Sequence, residues 1–299
     1  MSFSKKRDDL MSYMTGGLTM LTEMLPTLPP SEKKIAAFII KQPEEAIKLT
    51  AQELGKRSDT SGAAVIRLCK SLDLKGFQDL KFRIAGDLQK STDEGFRDVK
   101  PDEGLQSIIE KMTTNSIQTI KETAELIQID ELEKAVQQLL HAKKIHFIGV
   151  GASGIIAQDA QQKFLRINKT VYAFSDIHMA ATLVANGDED DVVVGISFSG
   201  ETNEVAKVLE LAKQKKMKTI SLTRYGSSKV TEQADIRLYT SATREPTFRS
   251  GATSSRIGQL QVIDILFMRV ATLKYDETVE YIDVTRDAIN FITQNGKKK

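Results

Sequence analysis

The sequence predicts an all-α N-terminal domain followed by an α/β domain with a doubly wound parallel sheet. Residues up to about 88 contain helical patterns and no strand-like run. Residues 89–104 are rich in polar residues, which is typical of a linker. Further on, short apolar runs alternate with helical patterns, which favours a sheet covered on both faces. We therefore predict domains at 1–88 and 105–299, joined by the linker.

Composition narrows the class of protein. The 299 residues carry a net charge of +2 and include one cysteine and three histidines. A single cysteine excludes an internal disulfide framework and fits a cytoplasmic location. The histidines and the cysteine are not spaced as metal ligands, so we expect no metal and no cofactor. No apolar run approaches the roughly 20 residues of a membrane span, so no membrane partner is expected.

The second domain has a regular order of predicted elements. A long helix at 105–127 and a shorter one at 131–141 come first. Five strands are predicted at about 144–148, 170–174, 191–196, 218–222 and 236–239, and helices near 155–166, 178–185, 202–215, 227–233 and 253–274. Ligands of doubly wound sheets bind beyond the carboxyl ends of the strands, so the turns at those ends are the candidate sites.

Two short helices in the first domain match a helix-turn-helix. Thr50 and Glu53 form a capping box that begins one helix, and a second helix is predicted from Gly62 to Leu72. The second helix has small side chains at its start and basic side chains on its outer face. The predicted DNA-contacting residues are Ser61, Ala63, Ala64, Arg67 and Lys70. On pattern alone, a plain helical hairpin with a solvated basic face is an equal alternative.

Residues around this motif complete the helical domain. Lys and Arg outnumber Asp and Glu over residues 48–83, which allows binding to nucleic acid without requiring it. Helices are also predicted over Gly17–Met24 and from an N-cap at Ser31 to about Lys41. Cys69 lies on the apolar stripe of the second helix, which predicts a small buried side chain rather than a reactive thiol.

The turn after the third predicted strand is rich in hydroxyls. Ser197, Ser199 and Thr202 lie between a buried apolar run and a helix, and Gly200 allows close backbone approach. A helix start leaves backbone N–H groups unpaired and carries partial positive charge, which suits a phosphate. The alternative is a well-capped helix without a ligand.

A glycine fingerprint follows the first predicted strand. Gly149, Gly151 and Gly154 satisfy the dinucleotide-binding pattern, and Asp176 lies where a ribose-binding acid is expected. This makes a nicotinamide-dependent oxidoreductase a third hypothesis. The hydroxyl-rich turn weighs against it, and Asp176 is then a helix-capping residue.

These motifs carry a family resemblance over about residues 17–285. Ser-Phe-Ser-Gly-Glu-Thr at 197–202 resembles the phosphosugar signature of SIS (sugar isomerase) domains, as does Ile148-Gly-Val-Gly-Ala-Ser153-Gly. Two N-terminal segments add to these motifs, namely Leu28-Pro-Pro-Ser-Glu-Lys-Lys-Ile-Ala and Ala64-Val-Ile-Arg67-Leu-Cys-Lys70. With all four motifs, the chain resembles RpiR-family transcription regulators. The resemblance implies a helix-turn-helix domain followed by a SIS domain. It also implies a sugar-phosphate ligand set of Ser153, Ser197, Ser199, Gly200, Thr202 and Glu245.

The function implied by the resemblance is regulation of sugar or amino-sugar catabolism, as a repressor. Such a regulator binds palindromic operator DNA as a homodimer or homotetramer and responds to a sugar phosphate, for which N-acetylmuramic acid 6-phosphate is the leading candidate. The main alternative is a phosphosugar isomerase or etherase that uses Glu245 as general base. Such an enzyme has no need of the N-terminal 85 residues.

Overall fold

The computed structural model describes residues 16–88, 99–100, 102–242 and 252–293. Its N-terminal helices are α1 (Gly17–Met24), α2 (Pro30–Lys41), α3 (Pro43–Ala46), α4 (Ala51–Arg57), α5 (Gly62–Ser71), α6 (Phe77–Leu88) and α7 (Leu105–Leu126). The strands that follow are β1 (Ile145–Gly149), β2 (Val171–Phe174), β3 (Val192–Ile196), β4 (Lys218–Arg224) and β5 (Ile236–Thr240). The remaining helices are α8 (Ile129–His141), α9 (Ala152–Leu165), α10 (Ile177–Ala185), α11 (Asn203–Gln214), α12 (Lys229–Glu232), α13 (Ser254–Leu273) and α14 (Tyr275–Thr293).

The chain divides into two compact units. The first extends to Ile127 and also takes in the segment that begins at Thr240. The second contains residues from Gln128 to Tyr239 and the C-terminal helices. Helix α7 therefore groups with the N-terminal helices, although it was predicted to belong to the second domain. The linker at 89–104 is only partly described, and its role as the domain boundary stays a prediction.

The first unit has its own apolar core. Residues from α1, α2, α4, α5 and α6 are fully buried, among them Met20, Leu21, Ile35, Ile39, Leu54, Val65, Leu68, Leu80 and Ile84. The spacing of Val65 and Leu68 on α5 matches the predicted core stripe, because one face of a helix repeats every three to four residues. Cys69 is buried on the same stripe, as predicted.

The second unit is built on a five-stranded sheet in the order β2-β1-β3-β4-β5. β1 pairs in parallel with both β2 and β3, and β3 pairs in parallel with β4. β1 and β3 are buried along their whole length, which explains their uninterrupted apolar sequences. The predicted doubly wound α/β architecture is confirmed.

Helices cover both faces of this sheet. One face packs against α8, α9 and α13, where Phe147, Phe164 and Leu266 share an apolar cluster. The other face packs against α10, α11 and α12, where Val193 and Leu209 share a second cluster. Because α9 follows β1 and α11 follows β3, the chain leaves two neighbouring strands toward opposite faces.

Two features differ from the sequence predictions. Helix α2 begins two residues earlier than predicted, with Pro30 as its first residue and Pro29 at the N-cap, so the predicted N-cap at Ser31 is wrong. Proline is favoured at the first helical position because its missing N–H is unpaired there in any case. The structure also adds α14, for which no helix was predicted. In the described ranges, no helix is long and apolar enough to cross a membrane.

The turn between α4 and α5 depends on Gly55. A Cβ atom at this position would lie 2.4 Å from the carbonyl carbon of Ser61. The backbone oxygen of Gly55 also accepts a hydrogen bond from the backbone N–H of Thr60 at 2.7 Å. The two helices can approach this closely only because residue 55 has no side chain.

We therefore expect Gly55→Ala to lower the free energy of unfolding by about 2 kcal/mol, because the added methyl overpacks the turn. Urea unfolding followed by circular dichroism measures the effect. Gly104→Ala is the matched control, since a Cβ there meets no atom within 4 Å. Equal stabilities of the two variants would contradict this account of the turn.

Candidate functional site

The candidate ligand site lies at the carboxyl ends of β1 and β3. The last residue of β1, Gly149, pairs in register with the last residue of β3, Ile196. The turns that follow these strands therefore begin side by side. Since α9 and α11 lie on opposite faces of the sheet, the two turns diverge at the point where strand order reverses, which is where doubly wound sheets form their ligand crevice.

The turn after β3 brings the predicted hydroxyls together. The Ser197 and Thr202 hydroxyl oxygens are 2.8 Å apart, and Ser197 is almost completely buried. Ser199 is exposed, and its hydroxyl accepts a hydrogen bond from the Glu201 backbone N–H at 3.2 Å. Thr202 is the N-cap residue of α11 but makes no side-chain capping bond. The start of α11 thus keeps backbone donors without a side-chain cap, which is the arrangement that suits an anion.

Gly200 holds this turn against the loop before α12. Its φ of 73° is in the left-handed region, which favours glycine. A Cβ at Gly200 would lie 2.2 Å from the hydroxyl oxygen of Ser228. The backbone oxygen of Gly200 also accepts a hydrogen bond from the Val230 backbone N–H at 3.0 Å. The hydroxyl-rich turn is therefore fixed by its neighbours before any ligand binds.

The turn after β1 contributes Ser153 from the first turn of α9. Its hydroxyl accepts a hydrogen bond from the Gln259 side-chain nitrogen at 3.3 Å, and both residues are buried. Gly149 is required here, because a Cβ would lie 2.5 Å from the Ser153 backbone oxygen. This close packing brings the start of α9 tightly against the end of β1.

Asp176 acts as a helix cap. Its carboxylate accepts hydrogen bonds from the backbone N–H groups of His178 at 2.8 Å and Met179 at 3.3 Å. The predicted capping role is therefore confirmed, and these contacts use the carboxylate that the dinucleotide hypothesis assigned to a ribose. The strand order also matches flavodoxin-like sheets rather than the 3-2-1-4-5-6 order of nicotinamide-binding folds.

Glu245, the predicted sugar contact or base, lies outside the described residues. His146 is buried near the amino end of β1, 3.4 Å from Asp191. Burial lowers the pKa of His146, and Asp191 opposes that effect. Among the described residues, no group of three or more metal-ligating side chains is found.

The helix-turn-helix presents a basic, solvent-facing surface. The capping box of Thr50 and Glu53 at the start of α4 is confirmed. Ser61 is exposed, and its hydroxyl accepts a hydrogen bond from the Ala64 backbone N–H at the start of α5. Ala63, Arg67 and Lys70 are also exposed. Four of the five predicted DNA-contacting residues are therefore accessible on the surface of the unit.

Ala64 does not lie on that surface. It is 1% exposed and belongs to the core of the first unit, four residues before buried Leu68. A side chain in this position packs against the other helices, so we remove Ala64 from the predicted contact set. Ile66, which the sequence analysis did not select, is 42% exposed and adds an apolar side chain to the outer part of α5.

A buried carboxylate from α2 lies beneath α5. Glu32 is 4% exposed, and one of its carboxylate oxygens accepts a hydrogen bond from the Ser71 hydroxyl at 2.7 Å. Its other carboxylate oxygen lies 3.9 Å from the Arg67 guanidinium. Glu32 thus accepts a hydrogen bond from the end of α5 and forms a long ion pair with the exposed Arg67.

Sequence reasoning missed the residues that reach the sites from other elements. Ser228 and Gln259 support the crevice from the loop before α12 and from α13. Gln259 had a detectable signal, since it is a polar residue on the same helical face as buried Val262, Ile263 and Leu266. Ser228 had no such signal, because only the fold brings it to Gly200.

Two family models match the chain. A model of helix-turn-helix domains of the rpiR family matches residues 15–91, and a model of SIS domains matches residues 138–269. The first match includes α4 and α5, and the second includes both turns of the crevice.

Named relatives agree with these matches. The HTH-type transcriptional regulator YbbH of Bacillus subtilis (strain 168) is 53% identical over 275 residues, which cover 92% of this chain and 97% of that protein. HexR of Escherichia coli (strain K12), an HTH-type transcriptional regulator, is 31% identical, with coverage of 83% and 86%. The solved structure of Vibrio vulnificus NanR complexed with ManNAc-6P has a TM-score of 0.59 at 25% identity, with coverage of 93% and 100%.

We expect Cys69 to be unreactive in the folded protein. Burial, with a smaller effect of the Asp79 carboxylate, raises the pKa of its thiol to about 11. The thiolate, which is the reactive form, is then roughly a thousandth of the total at pH 8. At the same reagent concentration, labelling with an aromatic disulfide should be at least tenfold slower in buffer than in 8 M urea. Rapid stoichiometric labelling of the native protein would contradict this assignment.

Proposed function

The chain belongs to the RpiR family of HTH-type transcriptional regulators that carry a SIS domain, and we propose that it is a sugar-phosphate-controlled repressor. It binds operator DNA through α5, and a sugar phosphate in the β1–β3 crevice changes its affinity for that DNA. The observation that carries the proposal is the presence, in one chain, of an exposed basic helix and a crevice lined by hydroxyls at a helix start.

DNA binding is supported by the shape and charge of α5. Ser61 and Ala63 are small and exposed at the start of the helix, so the helix end can enter a major groove closely. Arg67 and Lys70 then reach base edges or phosphates, and the apolar side chain of Ile66 suits contact with a thymine methyl group.

Sugar-phosphate binding is supported by the donors in the crevice. The turn at 197–202 offers hydroxyls and the backbone N–H groups at the start of α11, a set that matches phosphate oxygens. Ser153 adds a further hydroxyl from the neighbouring turn. We place Glu245 near the sugar as a hypothesis that rests on the family resemblance alone.

The effector is proposed to be the 6-phosphate of an N-acetylated amino sugar. N-acetylmuramic acid 6-phosphate is the first candidate on sequence resemblance. NanR, which was solved with ManNAc-6P, makes that ligand the second candidate. Either ligand controls transcription only if it prefers one state of the protein, because a ligand with equal affinity for both states shifts no population.

Arg67→Ala should weaken DNA binding by roughly tenfold and reduce its salt dependence, because the variant loses one cationic contact. Lys70→Ala should act in the same direction. Fluorescence anisotropy with labelled DNA from the upstream region of the gene, at several salt concentrations, measures both effects. Lys218→Ala, which removes an exposed lysine from the sheet unit, is the control and should leave binding unchanged. Equal affinities for all four proteins would contradict the assignment of α5.

Ser199→Ala should weaken binding of the sugar phosphate by about tenfold, since a hydrogen bond to a charged group contributes about 1.5–3 kcal/mol and this hydroxyl is partly solvated. Isothermal titration with N-acetylmuramic acid 6-phosphate and ManNAc-6P measures the change. Thr272→Ala, which removes an exposed hydroxyl from α13, is the matched control. Operator affinity without ligand should stay at the wild-type value in both variants.

Two results would redirect the proposal. Sugar affinity that is unchanged in Ser199→Ala would remove that residue from the phosphate site. Turnover of a sugar phosphate by a protein that binds no upstream DNA would favour the isomerase or etherase alternative, with Glu245 as the residue to test next.

A further inference from the structure

The chain just after β5 is hydrogen-bonded to two helices of the first unit. The Ser241 backbone N–H donates to the Thr123 hydroxyl of α7 at 3.2 Å, and the Ser241 hydroxyl donates to the Glu122 carboxylate at 2.5 Å. The Ala242 backbone N–H donates to the Glu23 carboxylate of α1 at 2.6 Å. These three hydrogen bonds, the segment contacts, hold the exit of β5 against α1 and α7.

The segment contacts are buried and two of them are charge-assisted. Ser241 is 1% exposed and Thr123 is fully buried, so water cannot readily replace the hydrogen bonds between them. A hydrogen bond to a carboxylate is roughly twice as strong as one between neutral groups. The other carboxylate oxygen of Glu122 accepts a hydrogen bond from the Gln118 side chain at 2.8 Å, which fixes Glu122 on α7. The segment after β5 therefore cannot move without loss of these bonds or movement of the helices.

The same contacts account for a polar position on the buried face of α7. Asn115, Thr119 and Thr123 are at most 1% exposed, although apolar side chains usually occupy the buried face of a helix. The Thr119 hydroxyl donates to the Asn115 backbone oxygen of its own helix. Thr123 instead accepts a hydrogen bond from a residue 118 positions away in the sequence. Thr123 is thus placed to hold a distant segment.

The chain passes from one compact unit to the other at this point. The second unit extends to Tyr239, and Thr240 begins the segment that groups with the first unit. Because the peptide chain is continuous, a shift at the end of β5 displaces residues 240–242. Helix α7 ends at Leu126, immediately before the second unit begins at Gln128. The bond between Thr123 and the segment therefore joins two of the places where the chain changes unit.

On the sheet side, packed groups lead from the hydroxyl-rich turn to β5. The Arg224 backbone N–H, at the end of β4, donates to the Phe198 backbone oxygen of that turn at 2.9 Å. The next residue, Tyr225, packs edge-on against Tyr239 of β5, with ring centroids 4.9 Å apart and both residues 6% exposed. Close-packed groups transmit displacement, so a shift of the turn would reach the end of β5.

On the helical side, α1 packs against α2, and α2 packs against α5. Glu32 of α2 also accepts the hydrogen bond from Ser71 at the end of α5. A displacement of α1 therefore reaches the proposed DNA-contacting helix through packed elements of a single unit.

We propose that residues 240–242 couple the sugar-phosphate crevice to α5, and that the segment contacts are the connection through which they do so. The inference rests on the proposed function and adds the residues through which one site affects the other. A ligand controls a second site when both bias an element that has two positions. Residues 240–242 are that element: the sugar phosphate favours one position, and the segment contacts make α1 and α7 follow.

Ser241→Ala and Thr123→Val in the full chain test the connection. The dissociation constant for labelled upstream DNA is measured by fluorescence anisotropy without and with saturating N-acetylmuramic acid 6-phosphate or ManNAc-6P. The ratio of the two constants is the coupling between the sites. Each variant should lose at least half of the logarithm of the wild-type ratio. Its affinity for DNA alone and for sugar phosphate alone should stay within about threefold of the wild type.

Thr119→Val is the matched control. It makes the same near-isosteric change on the same buried face of α7, but it removes a hydroxyl that donates within the helix. This variant should keep the wild-type ratio. Thermal unfolding followed by circular dichroism shows that each variant is folded at the assay temperature.

Hydrogen–deuterium exchange of the wild-type protein gives a second measurement that needs no variant. Saturating sugar phosphate should change the exchange rates of the Ser241 and Ala242 amides, and of peptides from the last turn of α7, by at least about threefold. Peptides from residues 197–202 report binding itself. A change confined to those crevice peptides would overturn the inference, even when a variant does not fold.

The outcomes separate the inference from the proposed function. Coupling that is lost in Ser241→Ala and Thr123→Val but kept in Thr119→Val supports the connection. Coupling that is kept in both test variants, or lost equally in all three, overturns the connection and leaves the regulatory function in place. A wild-type protein whose DNA affinity does not respond to either sugar phosphate contradicts the proposed function, and the inference fails with it.

Discussion

The ligand crevice depends on one topological constraint: β1 and β3 are neighbours, but the helices that follow them pack on opposite faces of the sheet. Each helix is held by its own apolar cluster, with Phe164 of α9 on one side and Leu209 of α11 on the other. The two turns must therefore separate as they leave the sheet. The hydroxyls and helix starts that we assign to phosphate recognition follow from this arrangement.

Most of the fold was predictable because its signals are local and strong. Buried strands such as β3 have continuous apolar sequences, and the α5 stripe repeats at helical spacing. Helix α14 was missed because it has only one buried residue, Thr278, among those described, so it shows no strong core stripe. The start of α2 was misplaced because a serine cap and a proline at the first position compete in adjacent residues.

The site was predictable only where its residues are close in sequence. The turn at 197–202 contains its own hydroxyls and glycine, and the structure keeps Ser197 and Thr202 in contact. Ser228 and Gln259 come from distant segments, so only tertiary packing reveals their contributions. Ala64 was misassigned because small size at a helix start resembles a groove-facing position. Its spacing of four residues from Leu68, however, already placed it on the core side.

The contact between Glu32 and Arg67, which we propose as a DNA-contacting residue, has a consequence for the evolution of operator recognition. Loss of the Arg67 guanidinium would leave the buried Glu32 carboxylate with less charge compensation, which is unfavourable in a protein core. A descendant that reads a different base with a neutral residue at position 67 therefore gains from a simultaneous change at position 32. We expect positions 32 and 67 to covary among relatives. The identity of a buried residue would then depend on the DNA sequence that the surface residue contacts.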